Sequence, residues 1–308
     1  MSPAELPLTP SRFSDAPSFA SPAALVEALR RVGYLADEQI ATVLYLANQL
    51  HKPILVEGPA GTGKTELAKS VAALAGSRLI RLQCYEGLDE SKALYEWNYR
   101  KQLLRIQADR PDEERSDGRW ASLEADLFSE EFLLARPLLE AIGASEPVVL
   151  LIDEVDRVEL ETEALMLEVL AEYQVSIPEL GTVRARSIPF VVLTSNDTRE
   201  LSEALKRRCL YLHLDYPSLE REREIVLERV PQIGAALAGE VAQMVASLRK
   251  LELEKRPSVS ETLDWARTLV LLEVEHLSSE VTTATLSLLL KHRHDLELAA
   301  RELAGERA

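Results

Sequence analysis

The chain has 308 residues, 46% hydrophobic and 28% charged, which excludes a disordered chain and allows one large domain plus a smaller one. Its formal net charge of −16 counts against a protein that grips nucleic acid through phosphates, because such proteins carry basic surface; protein partners are favoured instead. No apolar run approaches the roughly 18 to 20 residues that span a bilayer, so no membrane span is expected.

Residues 1–22, rich in Pro and Ser and without a charged-then-apolar leader layout, predict a flexible tail, and the cytoplasm is the expected compartment. From Ala23 to His51 apolar residues recur with helical period (Leu25, Leu29, Val32, then Ile40, Val43, Leu44, Ala47), predicting two short helices. Pro53 to Glu57 is short and apolar, as a buried strand is. Gly58-Pro59-Ala60-Gly61-Thr62-Gly63-Lys64-Thr65 follows and fits G-x-x-x-x-G-K-[ST]; Glu66 to Leu74 then has helical spacing. Strand, glycine loop and helix opening in that order form a phosphate cradle. The glycines let several N–H groups point inward, and the helix N-terminus adds partial positive charge. Lys64 is expected on the β- and γ-phosphates and the Thr65 hydroxyl on Mg²⁺, with Glu66 opening the helix.

Arg78 to Cys84 predicts a second strand, and Leu88 to Leu94 a short helix. Tyr95, Trp97 and Tyr99 alternate with strand period, which suits either a face packed on the core or an exposed insertion that grips another protein. Charged residues, Pro111 and Asp117-Gly118 predict an exposed loop from Ala108 to about Leu123, and Phe128 to Ile142 has a helical pattern. Val148 to Ile152 is the most apolar strand candidate, as expected at the centre of a parallel sheet. A helix from about Leu160 to Tyr173, a hairpin over Gln174 to Arg186 (Pro178, Gly181), a buried strand at Ile188 to Thr194, a helix at Arg199 to Arg207 and a strand at Leu210 to Leu214 complete an alternating pattern. Such alternation predicts a doubly wound parallel sheet. From Glu220 onward only amphipathic helices are expected, so the boundaries read 1–22 for the tail, 23–216 for the α/β domain and 217–308 for a helical lid.

Asp153 and Glu154 follow directly on the most apolar strand, Val148 to Ile152. Two carboxylates at the C-terminal edge of a buried parallel strand are costly unless a cation or substrate offsets them. Asp153 is placed to hold Mg²⁺ through water, and Glu154 to orient and deprotonate water attacking a γ-phosphate; a helix-capping acidic pair is the plainer alternative. Asn196, at the end of the next buried strand, suits either a hydrogen bond to that water or ordinary turn chemistry. Lys206-Arg207-Arg208 ends a helix, where cations offset the macrodipole or supply an arginine finger. Cys84 and Cys209 lie in or beside apolar stretches, as buried thiols in a reducing compartment do. His292 and His294, two apart on a helix, do not face one another and read as solvated surface.

Together these motifs resemble the AAA+ ATPases, over about residues 25 to 290. The chain is similar within them to the MoxR branch, including CoxD- and CbbQ-like relatives, through Gln83-Cys84-Tyr85-Glu86-Gly87, the inserted segment near Tyr95-Trp97-Tyr99 and the hairpin between the acidic strand and Asn196. The resemblance implies a P-loop NTPase core, a parallel sheet sandwiched by helices, followed by a small all-α lid. It also implies a homo-oligomeric, hexameric ring binding ATP and Mg²⁺ at subunit boundaries. By it Lys64 and Thr65 take the nucleotide-loop role, Asp153 and Glu154 the acidic-strand role, Asn196 the first sensor role, and Arg208 or Arg207 the finger role. MoxR-type proteins act as chaperone-like remodelers or maturation factors of protein clients, often with a von Willebrand factor A partner. One departure stands out. The family's second sensor arginine follows a proline early in a lid helix, but here the stretch is Arg256-Pro257-Ser258-Val259-Ser260-Glu261, so the role falls to Lys255 or Arg256 or is absent. A nucleotide-gated scaffold, a nucleic-acid motor and a small-molecule kinase are the competing readings.

Overall fold

The computed structural model describes residues 19–108 and 119–305. The chain divides into two compact units, one drawn from Met1–Val32, Ala36–Val56 and Ala68–Leu212, the other from Gly33–Leu35, Glu57–Leu67 and His213–Ala308.

The first unit is built on a five-stranded parallel sheet with flanking helices. Its strands are β1 (Ile54–Glu57), β2 (Arg78–Gln83), β5 (Val148–Asp153), β8 (Phe190–Ser195) and β9 (Leu210–His213), in the order β2-β5-β8-β1-β9. Every residue of β1, β5 and β8 is buried, which explains why these strands are apolar runs and not alternating ones. At one edge, β2 alternates exposed and buried positions over most of its length; it pairs in parallel with β5, Arg81 opposite Leu151 and Gln83 opposite Asp153. The core beneath the sheet joins Leu150, Ile152, Val191 and Leu193 to Leu138 and Ile142 from α7 (Pro137–Gly143) and Met166 from α8 (Leu160–Glu172).

Two helices, α1 (Pro22–Arg31) and α2 (Glu38–Leu50), precede β1 as the periodicity predicts. Each is capped by a side chain, Ser21 on Ala24 N and Asp37 on Ile40 N. The tail expected before them falls largely on residues 1–18, outside the described residues; Phe19 is buried against the Phe190 ring. Between β2 and β5 the chain makes an excursion. After α4 (Glu90–Ala93), β3 (Tyr95–Trp97) pairs antiparallel with β4 (Leu133–Ala135), enclosing α5 (Tyr99–Ala108) and α6 (Arg119–Leu127). Trp97 is buried, with the Tyr95 and Phe128 rings edge-on to it, whereas Tyr99 is exposed.

Three local expectations need correction. Part of the predicted loop from Ala108 to Leu123 is the helix α6; its residues 109–118 lie outside the described residues. The stretch from Phe128 to Ile142 is not one helix but a 3-10 turn, β4 and α7, because Leu133–Ala135 is claimed by pairing with β3. The helix predicted from Arg199 starts later, as α9 (Glu203–Arg208), because Ser202 caps it and Arg199 is drawn to Glu163. The hairpin forms as predicted, from β6 (Gln174–Ile177) and β7 (Gly181–Arg184).

The second unit contains the helices α10 (Leu219–Arg229), α11 (Ala235–Leu248), α12 (Val259–Leu271), α13 (Ser279–Leu289) and α14 (Arg293–Gly305). Val226, Val241, Val245, Trp265, Leu269 and Leu286 form its core, and Trp265 Nε1 donates to Thr285 Oγ1 at 2.8 Å. No helix among the described residues is long and apolar enough to cross a membrane.

Candidate functional site

Two constellations carry the predicted residues. The glycine loop belongs to the second unit. Gly58, Gly61 and Gly63 all have positive φ (147°, 75° and 98°), the region that L side chains avoid. Gly58 also lies too close to the Leu214 carbonyl for any Cβ, so both conformation and space require glycine there. Thr62 Oγ1 donates to Pro59 O at 2.9 Å, and the Lys64 ammonium, buried, donates to Gly58 O at 2.6 Å and Pro59 O at 2.7 Å. Lys64, Thr65 and Glu66 open α3 (Lys64–Ala75), whose first free N–H groups are those of a helix N-terminus. Glu66 is paired with Arg229 of α10. Ala60 and Gly61 are exposed at the loop's tip.

On the same unit, Ser258 caps α12 with a reciprocal box: its hydroxyl accepts from Glu261 N, and Glu261 Oε2 accepts from Ser258 N at 2.7 Å. A Cβ on Gly61 would fall 2.5 Å from the Ser258 Cβ, so the loop and the start of α12 touch. Arg256 is exposed two residues earlier, and the Lys255 ammonium is taken by Glu261. Behind them Arg249, nearly buried, pairs with the fully buried Glu222 and donates to Pro257 O at 2.8 Å, fixing the turn before Ser258.

The acidic pair belongs to the first unit. Asp153 is 3% exposed; Oδ1 accepts from Thr194 Oγ1 and Oδ2 from Arg81 Nη2, both at 2.5 Å. Glu154 has left-handed backbone (φ 59°, ψ 49°), rare for a residue other than glycine and a mark of functional strain when surrounding bonds enforce it. Here Thr194 Oγ1 accepts from Glu154 N at 2.9 Å. Its carboxylate takes Gln83 Nε2 at 3.0 Å, Arg157 Nε at 2.9 Å and Asn196 Nδ2 at 3.5 Å. Thus Glu154 and Asn196 meet, whereas Arg207 and Arg208 sit exposed on α9, Arg208 donating to Ala204 O of its own helix.

Sequence reasoning passed over three of these partners, Arg81, Gln83 and Thr194, as site residues. Arg81 and Gln83 stand at alternate positions of an edge strand, a polar stripe visible in the sequence, but only the register with β5 aims them at the carboxylates. Asp156 was missed as well. Burial opposes its charge, yet hydrogen bonds from the Thr198 hydroxyl and from backbone N–H groups prevail and hold its carboxyl below the usual range. Through Thr198 it pins the loop that carries Asn196. Burial pushes the Cys84 thiol, just past β2, up to about 12, with the charge of Asp153 adding to it, so this cysteine is inert.

A parallel sheet in this order, with a glycine loop leaving β1 and an acidic pair ending β5, is the P-loop fold of the AAA+ kind. Residues 53–209 match the family model described as the AAA domain, dynein-related subfamily, and the chain belongs to that family. Among curated proteins it is similar to an uncharacterized protein of Staphylococcus haemolyticus, 23% identical over 242 residues, covering 76% of this chain and 82% of that one. A second uncharacterized relative, from Staphylococcus aureus, is 24% identical over 73% of this chain and 81% of its own length. Among solved structures the RuvB Holliday junction branch migration motor of Thermotoga maritima aligns over 87% of this chain and 72% of its own, at 17% identity and a TM-score of 0.46.

Proposed function

We propose that this protein is a Mg²⁺-dependent ATPase of the MoxR branch that forms a homo-oligomeric, hexameric ring and remodels a protein client with a von Willebrand factor A partner. One observation carries the ATPase reading: in a member of the AAA family, Glu154 directly follows a wholly buried strand in left-handed backbone, with its carboxylate bonded by Gln83 and Asn196. A carboxylate so held is poised as a general base.

The donor set suits magnesium. Thr65 offers a hydroxyl and Asp153 a carboxylate, both hard oxygen ligands, and magnesium takes one or two such groups beside water and phosphate oxygens in place of an all-protein cage. Held by these residues, magnesium would supply charge neutralisation to the β- and γ-phosphates. In this reading Lys64 leaves the Gly58 and Pro59 carbonyls for phosphate oxygens, and the loop amides cradle the rest. Glu154 takes the proton of the attacking water while Asn196 orients that water. Arg208, with Arg207 as the second candidate, is exposed on α9 and would exchange its bond to Ala204 O for a neighbouring subunit's nucleotide. Arg256, exposed beside the α12 cap, is the candidate for a lid contact to phosphate.

A protein client is supported by the −16 charge and by Tyr99, Leu103 and Leu104, which expose apolar surface along α5. Co-purification of the native protein followed by mass spectrometry tests this part. Recovery with a von Willebrand factor A protein supports the reading, and stimulation of its ATPase activity by DNA at low salt contradicts it.

A further inference from the structure

Edge strand β2 presents two polar side chains on one side, and each bonds a different carboxylate of the acidic pair. Arg81 Nη2 donates to Asp153 Oδ2 and to Gln83 Oε1; Gln83 Nε2 donates to Glu154 Oε2. Residues two apart on a strand share a face, so this ladder follows from β2 being extended and in register with β5. The Asp153–Arg81 pair is lopsided. Asp153 is buried and clamped on its other oxygen by Thr194, whereas the Arg81 side chain is 48% exposed. One partner is fixed, and the other is a long cation that moves into water at little cost.

We infer that Arg81 is a resident counter-cation of Asp153 which a divalent metal ion must displace, so that β2 sets how much Mg²⁺ the protein needs to hold nucleotide. The inference rests on the proposed reading of Asp153 as the metal-side carboxylate. A carboxylate oxygen engaged by a guanidinium offers less negative charge to a metal, and the two cations compete for one site. Gln83 ties the exchange to Glu154: when Arg81 leaves, the Gln83 carbonyl loses its donor while its amide keeps the base. A solely structural Arg81 would instead brace β2 against β5 and leave the metal requirement unaltered.

The test uses the full chain and a fluorescent ATP analogue (mant-ATP), titrated with Mg²⁺ and read as binding, not turnover. In Arg81→Gln the Mg²⁺ concentration at half-maximal binding should fall roughly two- to fivefold, within the range of a partly exposed ion pair. Arg81→Lys, which keeps the charge but loses the planar fork, should show a smaller fall in the same direction. An unchanged or higher Mg²⁺ midpoint in folded Arg81→Gln overturns the inference while wild-type binding leaves the ATPase reading standing. A folded wild-type chain that binds no mant-ATP at any Mg²⁺ concentration overturns both.

Discussion

Gly61, in the glycine loop, and Ser258, the cap of α12, are in contact so close that a methyl group on Gly61 would meet the Ser258 Cβ at 2.5 Å. The loop residue also has φ +75°, so an L side chain is strained there before any clash. Gly61→Ala should therefore cost roughly 1–3 kcal/mol and weaken nucleotide binding. Adding Ser258→Gly removes the opposing atoms, and glycine is a tolerated cap, so the double variant should recover part of the loss. Calorimetric melting of the three proteins measures it; equal midpoints for Gly61→Ala and wild type would contradict the contact.

Arg249 and Glu222 form a buried pair in the second unit, with Thr262 Oγ1 on Glu222 Oε1 at 2.7 Å and the Tyr216 ring beneath the guanidinium. Removing one partner strands a charge. Glu222→Ala should destabilise by about 3–5 kcal/mol, whereas Glu222→Leu combined with Arg249→Met should cost clearly less. Urea unfolding followed by circular dichroism decides; a larger loss in the double variant would show that packing, not charge, dominates.

His276 and Glu240 make an exposed pair at 2.8 Å. The hydrogen bond from His276 holds the Glu240 carboxyl below its ordinary 4.5, and the same bond raises His276 above 6.5. A raised histidine stabilises fully below 6.5 and loses its contribution as pH climbs through the higher folded value. A lowered glutamate contributes above 4.5 and loses it as pH drops through the lower folded value. The melting difference between wild type and His276→Asn should therefore be greatest between about pH 4.5 and 6.5 and shrink by pH 8.5. A difference that grows toward pH 8.5 would refute the pairing.

If Arg208 serves a neighbouring subunit's nucleotide, Lys64→Ala and Arg208→Ala are each inactive for different reasons. Mixed, they should regain a measurable fraction of ATPase activity, because a mixed ring pairs an intact loop with an intact finger. No recovery on mixing, with both variants assembled, would place the finger role elsewhere.

What the sequence made legible is what depends on neighbours in the chain. Val148 to Ile152 could be read as an interior strand because a strand buried on both faces has no polar alternation to hide it, although the middle place in the sheet belongs to β8 and not to β5. Pro178 and Gly181 marked the hairpin, and Gly58 to Thr65 needed only spacing. Leu133–Ala135 was hidden because its partner, Tyr95–Trp97, lies some way back along the chain, and helical period fits an apolar run of that length equally well. Arg136-Pro137 did carry a clue, since a residue before proline avoids helix. Arg81 and Gln83 were beyond reach for the same reason as β4: their function-side contacts follow from β2 lying beside β5, and strand order is not a local property.

The central claim is that Lys64 and Glu154 serve one nucleotide, the first to hold it and the second to split it. Equilibrium dialysis with ATP and Mg²⁺, paired with phosphate release on the same samples, tests it for wild type, Lys64→Ala and Glu154→Gln. Wild type should retain ATP and release phosphate, Lys64→Ala should retain little, and Glu154→Gln should retain ATP while releasing phosphate roughly a hundredfold more slowly or worse. Folded wild-type protein that keeps no ATP, or Glu154→Gln hydrolysing at the wild-type rate, would contradict the account.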